Sequence, residues 1–228
     1  MLHAIISGDI ISSTSLEQKD KVILEEALSA MITELDNSFN VFGRVVKGDN
    51  IECSPLKVKD ALTIALAIKS YVKSIPLDVS SYKKEKKRVK LFKEHGIRVA
   101  IGLGSMDRLD FENGVMDGEA IYMAGRKINS TSTYNKDRIT IKNTLFFISK
   151  DNDLNREWEA ILGLLDVLLA KATARQSEVL YLKLLGNDES TISKKLGIDQ
   201  SVVNRHSTSV GWNAIEGVVA YFASSFSH

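Results

Sequence analysis

The chain has one cysteine, Cys53, in 228 residues. No disulfide can close within it, and that composition suits a reducing cytoplasm. No apolar run approaches the roughly 20 residues that a membrane-spanning helix needs, so no membrane partner is expected. The opening MLHAIISGDIISS lacks a basic leader segment and meets Gly8-Asp9 after a few apolar residues, so it is expected to be a first strand, not a signal peptide. The histidines His3, His95, His206 and His228 are scattered without metal-ligand spacing. Walker loop, zinc cluster and nucleophile elbow are all missing, which removes three common routes to catalysis. Thirty basic residues face 29 acidic ones. A net charge of +1 gives no global sign of nucleic-acid binding.

What is present is ordinary globular composition, 44% hydrophobic and 26% charged, in a chain long enough to bury a real core. Charge is uneven. Lys83, Lys84, Lys86, Lys87, Arg88, Lys90, Lys93 and Arg98 face only Glu85 and Glu94 within 83–98. Such a stretch is a solvated helix face or loop on one reading, and a phosphate or nucleic-acid contact on the other.

His3–Ile6 is a buried-strand pattern ending in a Ser7-Gly8-Asp9 turn. Ser15 with Gln18 forms a capping-box pattern, after which Leu24, Leu28, Met31, Ile32 and Leu35 share one helical face. Phe39–Val46 and Ile51–Ser54 are β-prone runs around the hairpin residues Lys47-Gly48-Asp49-Asn50. A second helix runs from Val58 through Val72 and is stopped by Pro76. Gly96–Gly104 is a central-strand candidate, Asp117–Asn129 a short helix, and Arg138–Ile148 a strand pair or long edge strand. This order predicts an α+β fold of the ferredoxin-like or palm type, an antiparallel sheet with helices on one face. Beyond residue 150 only helical patterns occur, which divides the chain into an α/β domain, 1–150, and an all-α domain, 151–228. Glu157–Lys171, apolar on most sides, is expected between the two parts or in a dimer interface.

Asp9 ends the first strand and Asp49 sits on the next hairpin. If those strands are neighbours, both carboxylates leave one sheet edge together, and a cation between them relieves their repulsion. That arrangement holds Mg²⁺ or Mn²⁺ against a nucleotide's phosphates, with Glu52 as a possible third oxygen. The Ser12-Ser13-Thr14 loop, backed by the first helix N-terminus, is placed to receive phosphate.

Asp9, the Gly48-Asp49 hairpin, RVAIGLG (98–104) and GEAIYMAGR (118–126) resemble, in that order, the class III nucleotidyl cyclases. The resemblance implies that Asp9 and Asp49 bind metals and that Arg126 is the transition-state arginine. Tyr122 stands where that family has its catalytic asparagine, and Val45 where it has the lysine that reads adenine; both count against cyclisation. A wider resemblance covers nearly the whole chain. GDIISS (8–13), GDNIE (48–52), RVAIGLG, DGEAIYMAGR (117–126) and the tail are similar to the SatD family, which implies a C-terminal helix-turn-helix.

In the tail, Thr173 caps a helix ending at Gly186-Asn187. STISKKLGIDQSVVNRH (190–206) has the bihelical pattern of a helix-turn-helix, about 173–210. Ile192 and Leu196 are its buried positions, Gly197 its turn, and Val202 and Val203 its packing residues. Gln200, Ser201, Asn204 and Arg205 then face outward, and these residue types reach base edges. Over 188–206, however, Lys194, Lys195 and Arg205 are balanced by Asp188, Glu189 and Asp199. A dimer, or the basic 83–98 stretch, would have to supply the phosphate contacts. The helix is expected to continue past His206 as an apolar stripe to Phe222. Two functional readings follow. The preferred one is a DNA-binding regulator, homodimeric, whose α/β domain senses a nucleotide or metal or, as a degenerate cyclase-like domain, serves as a dimerisation platform. The other is a nucleotide-processing enzyme with an accessory helix-turn-helix.

Overall fold

A computed structural model describes residues 2–78, 82, 85–131 and 141–227. Five strands form the main sheet: β1 (His3–Ile10), β2 (Val41–Val46), β3 (Asn50–Pro55), β4 (Ile97–Gly104) and β7 (Leu145–Ile148), in the order β2-β3-β1-β4-β7. All neighbours are antiparallel except β4 and β7. The fold is therefore α+β with a mostly antiparallel sheet. The parallel last strand has a physical cause: α4 (Glu119–Thr131) lies between β4 and β7, and such a crossover returns the chain in the same direction. The expected strand from Arg138 is seen only as Leu145–Ile148; residues 138–140 lie outside the described ones.

Strand alternation sorts the helices. Ala4, Ile6 and Ile10 of β1 and Val99, Ile101 and Leu103 of β4 share one core with α1 (Gln18–Phe39) and α2 (Ala61–Ser74). Ile5 and Ala100 point the other way, onto Ala120 and Ala124 of α4. Helices thus cover both faces, not the expected one. At Gly102 a Cβ would stand 2.2 Å from the Ala120 carbonyl oxygen, so α4 lies on the strand itself there. A hairpin that the sequence reading missed, β5 (Met106–Asp110) and β6 (Val115–Gly118), takes Asp117 and Gly118 away from the expected helix start.

α1 begins one residue after Glu17, and the expected Ser15–Gln18 capping box is absent. A short 3-10 turn at Ser13–Ser15 intervenes, and the Glu17 N–H donates instead to the Tyr82 hydroxyl, 2.9 Å away. That hydroxyl donates in turn to buried Asp20. α2 is buried nearly all round because the sheet lies on one side and α6 (Ala174–Leu184) on the other.

From residue 152 the described elements are helices: α5 (Asn152–Lys171), α6, α7 (Glu189–Leu196), α8 (Gln200–Ser209) and α9 (Trp212–Ser225). Thr173 and Gln176 form a complete capping box on α6. Asp188 caps α7 through the Thr191 N–H, and Gly197 ends it in the left-handed region. The stripe expected to run unbroken past His206 is cut at Gly211, φ +81°, which separates α8 from α9. Trp158, Leu180, Ile192, Val203 and Phe222 of these helices belong to the same hydrophobic core as the sheet. Among the described residues, no helix is long and apolar enough to cross a membrane.

Candidate functional site

The two aspartates lie at one rim of the sheet. Asp9 stands opposite Asn50 of β3 and Arg98 of β4. The β2–β3 turn closes with Lys47 and Gly48 at positive φ, and the Ile10 N–H donates to the Asp49 carbonyl at 3.0 Å. Asp49 is thereby pinned beside the end of β1. Its carboxylate accepts a 2.6 Å bond from the Ser13 hydroxyl. Burial pushes the Asp9 carboxyl above its ordinary range; the Arg98 guanidinium, bonded to it at 2.8 Å, opposes this, and the Asp49 charge adds to it. The carboxylates are near enough to feel each other. A cation at this rim would relieve both burial and repulsion at Asp9.

The Ser12-Ser13-Thr14 loop borders a small hollow beside Asp49. Ser13, Thr14, Lys21, Leu24, Glu25, Lys47, Gly48 and Asp49 line a hollow of about 120 Å³, to which Asp9 does not contribute. Ser12 adopts a left-handed conformation, and its hydroxyl, like that of Ser7, is buried without a hydrogen-bond partner among the described residues. The α1 N-terminus does not stand directly behind the loop, because the 3-10 turn occupies that place. The basic stretch does come near. α3 (Lys86–His95) packs against that turn, with Lys86, Lys87 and Lys90 exposed; Lys83 and Lys84 lie outside the described residues.

Two expected members, Glu52 and Arg126, are engaged or directed elsewhere. Glu52 is engaged by Arg44, which donates to its Oε2 at 2.8 and 2.5 Å and also to the Gly114 carbonyl. Among the described residues no three His, Cys, Asp or Glu side chains are grouped to hold a metal. Arg126 is exposed on α4. Ala120, Ala124 and Ile128 form that helix's buried face, so a side chain two residues past Ala124 leaves from the opposite side. Tyr122, exposed beside it, donates its hydroxyl to Asp117. Val45 packs into the α1/α2 core, on the face away from Asp9.

The sequence reading overlooked the group behind the rim. Arg98, 2% exposed, holds Asp9. The next residue, Val99, donates to the Thr144 carbonyl at 2.8 Å. Thr144 in turn donates its N–H and hydroxyl to Asp166 of α5, the hydroxyl at 2.6 Å. Lys69 of α2 completes the cluster, 3.3 Å from Asp166 and donating to the carbonyls of His95 and Ile97. Burial alone would raise the Asp166 pKa, but Lys69 and Thr144 outweigh it and hold the carboxyl below its ordinary value. Lys73, one turn on, donates to the Leu169 and Ala170 carbonyls at the C-terminus of α5, and burial lowers it to about 8. The available signal was charge inside apolar patterns: Lys69 and Lys73 in helix two, Asp166 in helix five. Cys53 is buried, its thiol pushed up to about 12, which leaves it unreactive.

In the tail, Gln200, Ser201, Asn204 and Arg205 are exposed along α8 while Val203 is buried. Asn204 is tied to Glu189 of α7 at 3.2 Å.

No known family profile matches the chain, and no curated protein matches it. Among solved structures it is similar to a bacterial light-regulated adenylyl cyclase, 17% identical over 64% of this chain, with a TM-score of 0.43. The match spans 43% of that protein's length. A second bacterial light-regulated adenylyl cyclase structure is 18% identical over 64% of this chain and 74% of its own, TM-score 0.42. A guanylyl cyclase is 17% identical over 58% and 71%, TM-score 0.33.

Proposed function

We propose that the chain is a cytoplasmic DNA-binding regulator of the SatD type. In this reading residues 1–150 are a degenerate cyclase-like domain that senses a nucleotide with Mg²⁺ or Mn²⁺, and residues 151–228 carry the helix-turn-helix. Its DNA contact rests on one observation: the start of α8 turns four base-reading residue types, Gln200, Ser201, Asn204 and Arg205, to solvent over a buried Val203. The capped α7, the Gly197 turn and Ile198 set the angle at which α8 leaves. For the sensing domain, support comes from the paired carboxylates, with Ser13, Lys47 and Lys21 beside Asp49 to meet phosphate.

Charge sets the condition on DNA binding. The 188–206 segment is neutral, and the basic α3 packs on the Ser13–Ser15 turn, where it serves the sensing site better than the DNA. Phosphate contacts must therefore come from Lys194, Lys195 and Arg205 individually, which a dimer would present twice along the duplex. A gel shift on genomic fragments at two salt concentrations tests this. Binding should weaken with salt, and Arg205→Ala should weaken it by about 1–3 kcal/mol. No shift even at low salt would defeat the DNA reading.

The enzymatic alternative, nucleotide cyclisation or transfer, is favoured only by the aspartates. Tyr122 bonded to Asp117, Val45 turned into the core, and Arg126 facing away all oppose it. Incubation with labelled ATP or GTP and Mn²⁺ should yield neither cyclic nor linear product.

A further inference from the structure

α5 has two apolar faces. Trp158, Leu162, Leu165 and Leu169 are buried in the core. On the outside lie Leu164, Val167 and Leu168, 74%, 52% and 38% exposed, while Ile161 at their edge is half-buried against the core. Beside them, a Cβ at Gly163 would meet nothing within 4 Å, so another helix can come close to the backbone there. A contiguous aliphatic face of this kind marks an interaction surface.

The charges at its ends say what covers it. Glu157, Ile161, Leu164, Leu168 and Lys171 follow one another at the four-and-three spacing of a helix-pairing seam. Leu164 lies midway between Glu157 and Lys171, which are both exposed. Two copies of α5 crossing antiparallel at Leu164 would set Glu157 of each against Lys171 of the other, and would oppose their helix dipoles favourably. Tyr221 of α9 already holds the Glu157 carboxylate from one side, at 2.6 Å. A surface that is complementary to itself under a two-fold rotation fits a second copy of its own chain. We propose that the outer face of α5 is the homodimer interface, with the two helices antiparallel about Leu164. The face belongs to the helical segment, so pairing there also puts two α8 helices in one particle.

Sedimentation velocity on the full chain over a concentration series tests the proposal independently of any DNA or nucleotide. The wild type should run at twice the chain mass. Leu164→Glu buries two charges at the crossing and should weaken the dimer by at least roughly 100-fold. Lys171→Glu, a surface change that leaves folding intact, should weaken it about tenfold, and adding Glu157→Lys should restore it. A wild type that is monomeric throughout, or a dimer indifferent to both single variants, overturns the assignment.

Discussion

Asp9 carries the strongest electrostatic conflict at the rim: its carboxylate is buried beside Asp49 and answered by Arg98. A carboxyl raised by folding contributes stability that is present below its unfolded value, 3.8, and is lost as pH rises through the folded value. In cation-free buffer the wild type should therefore lose melting temperature relative to Asp9→Asn as pH climbs through that window. Parallel melting curves of the two proteins would contradict the burial of this charge. Asp9 and Asp49 were legible in the sequence because Gly-Asp turns at a strand end and a hairpin are local signals. Arg98 and the Arg44–Glu52 pair were not, since which carboxylate each arginine meets depends on sheet register.

Elements with a clean period were read closely. Of the α1 face that the pattern selects, Leu24, Leu28, Met31 and Leu35 are buried and Ile32 is half-buried, while the buried Asp20 lies outside that pattern. The β5–β6 hairpin was missed because MDRLD and VMDG bury only Met116 and Gly118, and so carry little hydrophobic alternation. α5 was read as apolar on most sides, and its one buried acid went unnoticed. Asp166 joins this helix to Thr144 and Lys69, and thus to the strand that holds Arg98. Asp166→Asn would leave the Lys69 ammonium buried without its counter-charge, at a cost of about 3–5 kcal/mol in urea unfolding. The lowered Asp166 carboxyl gives the opposite sign to Asp9: its contribution is present above pH 3.8 and lost as pH falls through the folded value. An Asp166→Asn protein as stable as wild type would show that the clamp is ornamental.

Across the whole molecule, the sheet and the helices from 152 to 225 are built on one core, and α2 lies at its centre. A ligand-induced shift at Asp9 therefore has a covalent and hydrogen-bonded route to α5, through Arg98, Val99 and Thr144. The coarse order of strands and helices followed from local patterns. The parallel β7, the second helix-covered face and the Gly211 break depended on crossover geometry and packing that short windows do not contain. Titration calorimetry with Mn²⁺ and a nucleoside triphosphate, on the wild type and on Asp49→Ala, tests the central claim most directly. Binding heat in the wild type that disappears in Asp49→Ala is the expected result. A wild type without heat for either ATP or GTP, or a variant that binds as well as the parent, would contradict a cation site at this rim.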